Sequence, residues 1–209
     1  MTPQSERPED AGAAISTTDL MTALQSLYRE RDAHFQQEHG RSLPFADAAV
    51  DDRWERARRL GFGEGASIYN SALVIGEVSV GEGTWIGPSV VLEGSGGLTI
   101  GSWCSISAGV QIYTHNSVAW ALSGGKAGYF QAPTRIGSRC YLAPLSVVAA
   151  GVTIGDGSLV ATHSFVNADV PPATIVGGAP ARRLGRVELR DGEPELIFDN
   201  PPEKGDPAE

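Results

Sequence analysis

The chain has 209 residues, with 25 acidic and 16 basic side chains and a formal net charge of −9. An acidic total argues against nucleic acid as the main partner, because phosphate binding needs a basic surface. No apolar run reaches the roughly 18 residues of a membrane span, and no signal-type stretch opens the chain, so we expect a cytoplasmic protein without integral membrane association. The length allows one domain, and the 26 glycines direct attention to internal repeats.

The N-terminal quarter of the chain is predicted to be helical after a polar start. Residues 1–16 are predicted to be disordered. Residues 17–61 form a helical segment, because apolar side chains recur there at helical spacing. These side chains are Leu20, Leu24, Leu27, Tyr28 and Phe35 in a first helix, and Val50, Trp54, Ala57 and Leu60 in a second. We expect the second helix to cover the open end of the repeats that follow.

From residue 62 to residue 185 the sequence repeats every six positions. Each hexad has a Phe, Ile, Leu or Val anchor, often followed by a small residue. A period of six is too short for a helical hairpin, so we interpret each hexad as a short strand and a corner, with the anchor pointing inward. Three hexads complete one triangular coil. The pattern therefore predicts an all-β solenoid, a parallel β-helix of about five coils.

The anchors define three flat faces of this prism. They are Phe62, Val80, Ile100, Ile136 and Ile154 on the first face, Ile68, Ile86, Ile106, Leu142 and Val160 on the second, and Val74, Leu92, Ile112, Val148 and Val166 on the third. Cys104 and Cys140 lie at equivalent positions of consecutive coils. We expect them to stack inside the prism as two thiols, since a reducing compartment disfavours a disulfide.

Both breaks in the repeat fall on the third face, in adjacent coils. The Leu92 hexad carries two extra residues, and the chain leaves the prism after the Ile112 hexad for a loop over residues 118–135. Glu93 and His115 are therefore predicted to project from one corner, one rung apart. Insertions at solenoid corners are where binding sites usually lie. Beyond the repeats, residues 186–209 are predicted to form two short strands around Asp191–Gly192 and a loose acidic tail.

His115 at this corner is a candidate general base, because imidazole titrates near neutral pH and a neighbouring carboxylate would stabilise the imidazolium. A structural role at the base of the loop is the alternative, and position alone does not decide between them. His163 lies in a regular hexad, and His34 and His39 lie in the predicted first helix, so we expect these three to be structural or solvated. No pair of His or Cys has zinc-ligand spacing, so no metal is predicted.

The ordered motifs of the repeat region carry a family resemblance. They are the Ile-Gly repeats, Ile112-Tyr-Thr-His115, Ile136-Gly-Ser-Arg-Cys-Tyr-Leu-Ala143-Pro, Asp169-Val-Pro-Pro and Gly177-Gly-Ala-Pro-Ala-Arg182. This series resembles the hexapeptide-repeat acyltransferases, close to the maltose and galactoside O-acetyltransferases and the sugar acetyltransferases of bacterial surface-polysaccharide pathways. The resemblance implies a left-handed β-helix, a homotrimer, acetyl-CoA as donor, a sugar acceptor and active sites between subunits.

The resemblance also implies roles for individual residues. His115 matches the catalytic histidine, and Glu93 matches an acidic residue of the acceptor site. Trp85, which replaces an acceptor-binding Asn of the galactoside branch, and Asn116 are assigned to the acceptor. Five residues are assigned to coenzyme A: Tyr141, Ala143 and Ala161 along the pantetheine slot, and Arg182 and Arg183 near the phosphates.

The predicted function is an acetyl-CoA-dependent O-acetyltransferase acting on a sugar or glycoconjugate precursor. One alternative is an N-acetyltransferase of an amino sugar, whose substrate amine needs no enzyme base. Another is a non-catalytic β-helix used as an assembly module, against which the intact His115 and the long loop argue. A γ-carbonic anhydrase would need three metal-binding histidines, and the repeats contain only His115 and His163.

Overall fold

The computed structural model describes residues 15–50 and 52–200, which fall into two compact units that divide after Val50. The predictions for residues 1–14 and 201–209 lie outside the described residues.

The first unit contains helix α1 (Thr17–His39) and a short π-helix (Ala46–Val50). The Ser16 side chain caps the start of α1 by accepting from the Asp19 N–H, and Gly40 ends the helix in the left-handed conformation, with φ of 62°. The predicted helical spacing is present, but none of the α1 side chains is buried. Val50 ends the π-helix and is not part of the second helix to which the sequence assigned it.

The second unit begins with helix α2 (Arg53–Arg59) and continues as a solenoid of short strands, with helix α3 (Val118–Leu122) in the loop after β7. In chain order the strands are β1 (Ser67–Ile68), β2 (Leu73–Val80), β3 (Trp85–Ile86), β4 (Val91–Ile100), β5 (Ser105–Ile106), β6 (Gln111–Ile112), β7 (His115–Asn116), β8 (Phe130–Gln131), β9 (Thr134–Ile136), β10 (Tyr141–Leu142), β11 (Val147–Val148), β12 (Thr153–Ile154), β13 (Leu159–Val160), β14 (Phe165–Val166), β15 (Thr174–Gly177), β16 (Arg182–Arg190) and β17 (Glu193–Phe198).

Strand pairing confirms the three predicted faces. On the second face the parallel ladder runs through β1, β3, β5, β10, β13 and β15. On the third face Val74 pairs with Leu92, Leu92 with Ile112, and the ladder continues through β11 and β14. Strands β2 and β4 turn the corner between the third and first faces, so their C-terminal halves belong to the first face with β9 and β12.

The anchors form one continuous core inside the prism. Ile106 is 1% exposed and Ile112 is fully buried, and burial of such side chains stabilises the fold by roughly 1.5–3 kcal/mol each. The small residues after the anchors are required because successive coils touch there. A Cβ on Gly101 would lie 2.6 Å from the Ser138 backbone nitrogen.

The two cysteines are buried free thiols on adjacent rungs, as predicted. The Cys104 thiol donates to the Gly137 carbonyl at 3.0 Å, and the Cys140 thiol donates to the Gly155 carbonyl at 3.3 Å. The neighbouring Cys104 thiol and burial both raise the pKa of Cys140. Cys140 therefore stays protonated at neutral pH.

The solenoid is longer than the predicted five coils, because a sixth turn begins after Val166. Val170 forms a bridge with Ile154, and Val176 pairs with Val160. The sixth turn was missed because Val176 follows Val160 by 16 residues instead of 18. The turn contains Pro171 and Pro172, which cannot donate to a strand ladder and so disturb the hexad pattern.

Helix α2 and a C-terminal hairpin cover the two ends of the prism. Ala57 of α2 is 1% exposed within the core, and the Arg56 guanidinium donates to the Tyr69 and Ala72 carbonyls of the first coil. At the other end β15 pairs antiparallel with β16, and β16 pairs with β17. The hairpin around Asp191 is as predicted, but its first strand starts earlier, at Arg182.

Candidate active site

The corner between the third and first faces is shaped by the two-residue insertion in β4. Gly76 pairs with Gly94 and Val78 with Leu98, so β4 bulges between these pairs. Glycines make the bulge possible: a Cβ on Gly94 would lie 2.3 Å from the Glu77 carbonyl oxygen, and one on Gly96 would lie 2.6 Å from the Thr114 carbonyl oxygen. The bulge turns the Glu93 side chain inward toward the next coil, where its carboxylate meets Thr114.

Glu93 is a buried carboxylate with a complete set of donors. It is 1% exposed. Its Oε1 accepts from the Ser95 N–H at 2.8 Å, and its Oε2 accepts from the Thr114 N–H and hydroxyl, both at 3.0 Å. The Thr114 hydroxyl in turn accepts from the Gly96 N–H at 2.8 Å. The bulge and the neighbouring coil together hold the carboxylate in one orientation.

This environment keeps Glu93 ionised. Burial by itself raises the pKa of the carboxyl group, but the hydrogen bonds from Ser95, His115 and Thr114 outweigh it and lower the pKa to about 2. The corner therefore holds a fixed negative charge at neutral pH.

The His115 imidazole lies directly beside this negative charge. Its Nδ1 lies 2.7 Å from Oε2 of Glu93, and about a third of its side chain, 34%, is exposed. A carboxylate beside Nδ1 favours the tautomer with a proton on Nδ1, which leaves Nε2 free to accept a proton. The predicted adjacency of Glu93 and His115 is present. Both carboxylate oxygens of Glu93 are engaged and buried within the chain, so the acceptor contact that the resemblance implies stays a prediction.

The loop after His115 is anchored at this corner. Strand β7 pairs antiparallel with β8, so His115 lies opposite Gln131. The loop closes at Pro133, because Thr134 and Arg135, which the sequence assigned to the loop, pair with Leu98 and Thr99 of β4. The Thr134 hydroxyl donates to the Tyr113 carbonyl at 2.7 Å, which ties the two ends of the loop together.

Asn116, assigned to the acceptor, is exposed next to His115. Its side-chain oxygen accepts from the Val118 N–H at 3.2 Å, so that oxygen helps to start helix α3. The amide NH₂ group is not used in this contact.

The five residues assigned to coenzyme A lie along the second face and not at the His115 corner. The Ala143 N–H donates to the Val160 carbonyl, and the Ala161 N–H donates to the Val176 carbonyl. Gly177, next in this column, pairs with Arg182 of β16. We call this stretch the second-face column; its members are Tyr141, Ala143, Ala161, Arg182 and Arg183.

The two arginines of the column differ in how their charge is balanced. Arg183 Nε donates to Asp199 at 3.0 Å. Arg182 donates to the adjacent Ala181 carbonyl at 2.8 Å and to no acidic side chain in the described part of the protein. Both line a cavity of about 340 Å³ at the last turn of the prism, together with Val170 and Val176.

Trp85 also lies on the second face, 59% exposed on β3. It is in register with Ser105, and Ser105 is in register with Tyr141, so Trp85 lies two rungs from the second-face column. Within one chain the structure thus makes two groups of site residues. Glu93, His115 and Asn116 lie at the corner, and the others lie on the second face.

The other three histidines have no carboxylate partner among the described residues. His163 is exposed in a regular hexad, where its Nδ1 lies 3.1 Å from the Thr162 hydroxyl. His34 and His39 lie on the exposed helix α1. Within residues 15–50 and 52–200, no three His, Cys, Asp or Glu side chains come together as a metal site. Across the same residues, no helix combines the length and apolar character needed to cross a membrane.

Comparison with known proteins agrees with this geometry. Residues 133–168 match the bacterial transferase hexapeptide model, which comprises six repeats. The chain is 29% identical over 125 residues to a chloramphenicol acetyltransferase of Agrobacterium fabrum, covering 51% of this chain and 59% of the relative. It is 26% identical over 133 residues to the galactoside O-acetyltransferase of Escherichia coli, covering 54% and 66% of the two chains. The chain thus spans less than two thirds of either curated relative.

A solved structure extends the likeness to most of the chain. The crystal structure of a hexapeptide-repeat acetyltransferase of Vibrio cholerae, complexed with acetyl coenzyme A, shares 29% sequence identity and has a TM-score of 0.57. The match covers 87% of this chain and 93% of that one. The resemblance to hexapeptide-repeat acyltransferases is confirmed, and the matched repeats imply that the β-helix is left-handed.

Sequence reasoning missed the residues that hold the Glu93 carboxylate. Ser95 acts through its backbone N–H, and Thr114 acts through its backbone N–H as well as its hydroxyl. Every residue except proline carries a backbone N–H, so residue type gives no signal for those two bonds. The Gly-rich bulge from Gly94 to Gly97 was the available indication, because such a run permits close approach of two coils.

Proposed function

We propose that this chain is an acetyl-CoA-dependent O-acetyltransferase that acts on a sugar or glycoconjugate precursor, with His115 as general base. The observation that carries the proposal is the 2.7 Å contact between His115 Nδ1 and the buried, ionised Glu93. A carboxylate that fixes an imidazole and stabilises the imidazolium is the arrangement required for proton removal from a weakly acidic hydroxyl. The comparisons support acetyl-CoA as the donor.

In the proposed reaction Nε2 of His115 removes the proton of an acceptor hydroxyl as its oxygen attacks the thioester carbonyl. The C–S bond then breaks, and the imidazolium returns the proton to the departing CoA thiolate. Glu93 does not touch either substrate. It is a positioning residue that keeps the imidazole in one orientation and balances the positive charge formed during the attack.

We further propose that the working enzyme is a homotrimer in the cytoplasm. The support is the separation of the two groups of site residues: the base lies at one corner, and the second-face column, proposed for acetyl-CoA, lies on another face. Copies of the chain packed around a three-fold axis would bring the corner of one against the second face of the next. Light scattering that gives a monomer of 22.0 kDa at micromolar concentration would contradict this assembly.

The direct test is an acetyl-transfer assay with purified protein. Acetyl-CoA is incubated with a panel of sugars, sugar alcohols and amino sugars, and the free CoA thiol is measured. We expect thiol release with at least one hydroxyl acceptor, and mass spectrometry should find an alkali-labile acetyl ester. Acetylation that occurs only on amines, as an alkali-stable amide, would overturn O-acetylation. Thiol release no faster than acetyl-CoA hydrolysis with every acceptor would overturn the enzyme assignment.

A further inference from the structure

A second, smaller cavity lies on the second face, between helix α2 and the first three coils. Its volume is about 150 Å³, and its lining includes Arg53, Tyr69, Trp85, Ser105 and Ser107. We call this cavity the cradle. Pockets that enclose drug-sized ligands measure roughly 300–1,000 Å³, so the cradle is suited to a single ring.

Arg53 gives the cradle a cationic group that has no anionic partner within residues 15–50 and 52–200. Its guanidinium lies 4.4 Å from the Trp54 ring centroid and 5.3 Å from that of Tyr69, so two aromatic rings hold it in place. NH1 donates to the Tyr69 hydroxyl at 3.3 Å, while the buried Nε has no hydrogen-bond partner in the described part of the chain.

Two other arginines of α2 already have hydrogen-bonding or charged partners. Arg56 donates to two carbonyls of the first coil, and Arg58 pairs with Glu55. Arg53 differs from them because its buried Nε has no hydrogen-bond partner among the described residues, in a protein whose net charge is −9. A planar guanidinium with free donors recognises a carboxylate or a phosphate through paired hydrogen bonds.

The remaining lining fits a sugar ring. Trp85 presents an indole that is 59% exposed, and an exposed indole offers an apolar face for the C–H side of a ring. Ser105 and Ser107 add hydroxyl groups on the next coil. The next coil begins the second-face column, since Ser105 pairs with Tyr141 there.

We propose that the cradle binds the acceptor, and that this acceptor is an acidic sugar whose carboxylate or phosphate pairs with Arg53 while its ring lies against Trp85. The placement as acceptor site rests on the proposed acetyl transfer, because the second-face column would hold the donor beside it. The anion preference rests only on the lining of the cradle.

The first test is direct binding in the absence of acetyl-CoA, measured by calorimetry or ligand-observed NMR. Galactose and galacturonate differ only at carbon 6, and galactose 6-phosphate carries the alternative anion. We expect one of the two anionic sugars to bind at least about ten-fold more tightly than galactose. The preferred anion identifies a uronic acid or a sugar phosphate as the acceptor class. Equal affinity for all three sugars, or no binding, would overturn the proposal.

Variants of the cradle test whether Arg53 causes the preference for an anionic sugar. Arg53→Gln should reduce affinity for the preferred anion about ten-fold or more and leave galactose binding unchanged, whereas Arg53→Lys should retain part of the preference. Trp85→Ala should lower the binding affinity for all three sugars. Arg58→Gln, on the same helix, is the matched control and should change nothing. An anion preference that survives Arg53→Gln in a variant with an unchanged thermal transition would also overturn the proposal.

The transfer assay separates this inference from the proposed function. Arg53-dependent binding without thiol release on any sugar would leave the anion site in place and overturn acetyl transfer. Thiol release that is as efficient with galactose as with both anionic sugars would overturn the acidic acceptor and leave acetyl transfer in place.

Discussion

Two corners of the same solenoid each carry a histidine, and they differ in what lies beneath the ring. Under His115 the β4 bulge places the buried Glu93 carboxylate 2.7 Å from Nδ1. His163 lies at a regular corner, with a backbone φ of 54°, and its Nδ1 contacts the neighbouring Thr162 hydroxyl. The two side chains have the same chemistry in isolation. What distinguishes their surroundings is the insertion of two residues in the coil next to His115.

The β4 bulge is a way in which a repeat protein can acquire a reactive group. A regular hexad fills its corner with small or aliphatic residues and leaves no space for a buried charge. The bulge supplies the Ser95 N–H to the Glu93 carboxylate, and Thr114 of the neighbouring coil supplies its backbone N–H and its hydroxyl. Because hydrogen bonds to an ionised group contribute roughly 1.5–3 kcal/mol each, they offset the cost of burying it.

The largest effect is expected from removing the His115 imidazole. His115→Ala should lower kcat on a hydroxyl acceptor by roughly 10²–10⁴-fold, the usual contribution of a positioned general base. Steady-state kinetics with the CoA thiol as readout measures this change. Acetyl-CoA affinity, determined separately by calorimetry, should remain unchanged because the residues proposed to hold acetyl-CoA, the second-face column, do not include His115. A near-normal kcat on the true acceptor would contradict the general-base assignment.

A smaller loss is expected when the charge of Glu93 is removed without changing its shape. Glu93→Gln takes away the anion that stabilises the imidazolium, and such a charged hydrogen bond contributes roughly 1.5–3 kcal/mol. The corresponding loss in kcat is about 10–100-fold. KM for the acceptor should change little, since the carboxylate is buried. A variant that raises acceptor KM at unchanged kcat would instead place Glu93 in the acceptor site.

The Glu93 carboxylate should also make stability depend on pH. Its pKa is about 2 in the folded chain, against an ordinary value of 4.5. The depressed pKa contributes stability above pH 4.5, and this contribution is lost as pH falls toward 2. Between pH 5 and pH 3 the loss amounts to about 2 kcal/mol.

Chemical denaturation at pH 5 and pH 3 measures the effect in the wild type and in Glu93→Gln. The wild type should lose more free energy of unfolding over this interval than the variant, which has no carboxyl group at the position. Equal losses in the two proteins would show that Glu93 is not held as an anion in the folded state.

The smallest effect is expected at the other histidine. His163→Asn removes the imidazole and keeps a residue that tolerates positive φ, so backbone strain is not added. Its kcat should remain within about two-fold of the wild type. A loss comparable to that of His115→Ala would mean that the Glu93 contact is not what distinguishes the two corners.

Much of this architecture could be predicted from the spacing of its anchors. The stacking of Ile68, Ile86 and Ile106 followed from the six-residue period, since each coil must bury its own anchors. The sixth turn was missed because Val176 follows its partner Val160 by 16 residues and so falls outside the hexad register. Val50 was misassigned because the second helix starts only after Asp52, whose backbone is extended and whose side chain caps α2.

The candidate site was predictable only in part. The contact between Glu93 and His115 was predicted because both interruptions of the hexad repeat fall on the third face, in adjacent coils. The burial of Glu93 depends on backbone donors, and the cradle depends on helix α2 folding back so that Arg53 reaches Tyr69, 16 residues away. Such contacts are set by packing and carry no local signal in the sequence.

The most direct test of the account is a double-mutant cycle on kcat. The wild type, His115→Ala, Glu93→Gln and the double variant are compared on one hydroxyl acceptor at saturating acetyl-CoA. If Glu93 acts only through His115, Glu93→Gln should lower kcat about 10–100-fold in the wild type and by less than about two-fold in the His115→Ala background. Equal losses in both backgrounds would contradict the account, because Glu93 would then contribute to the reaction independently of the imidazole.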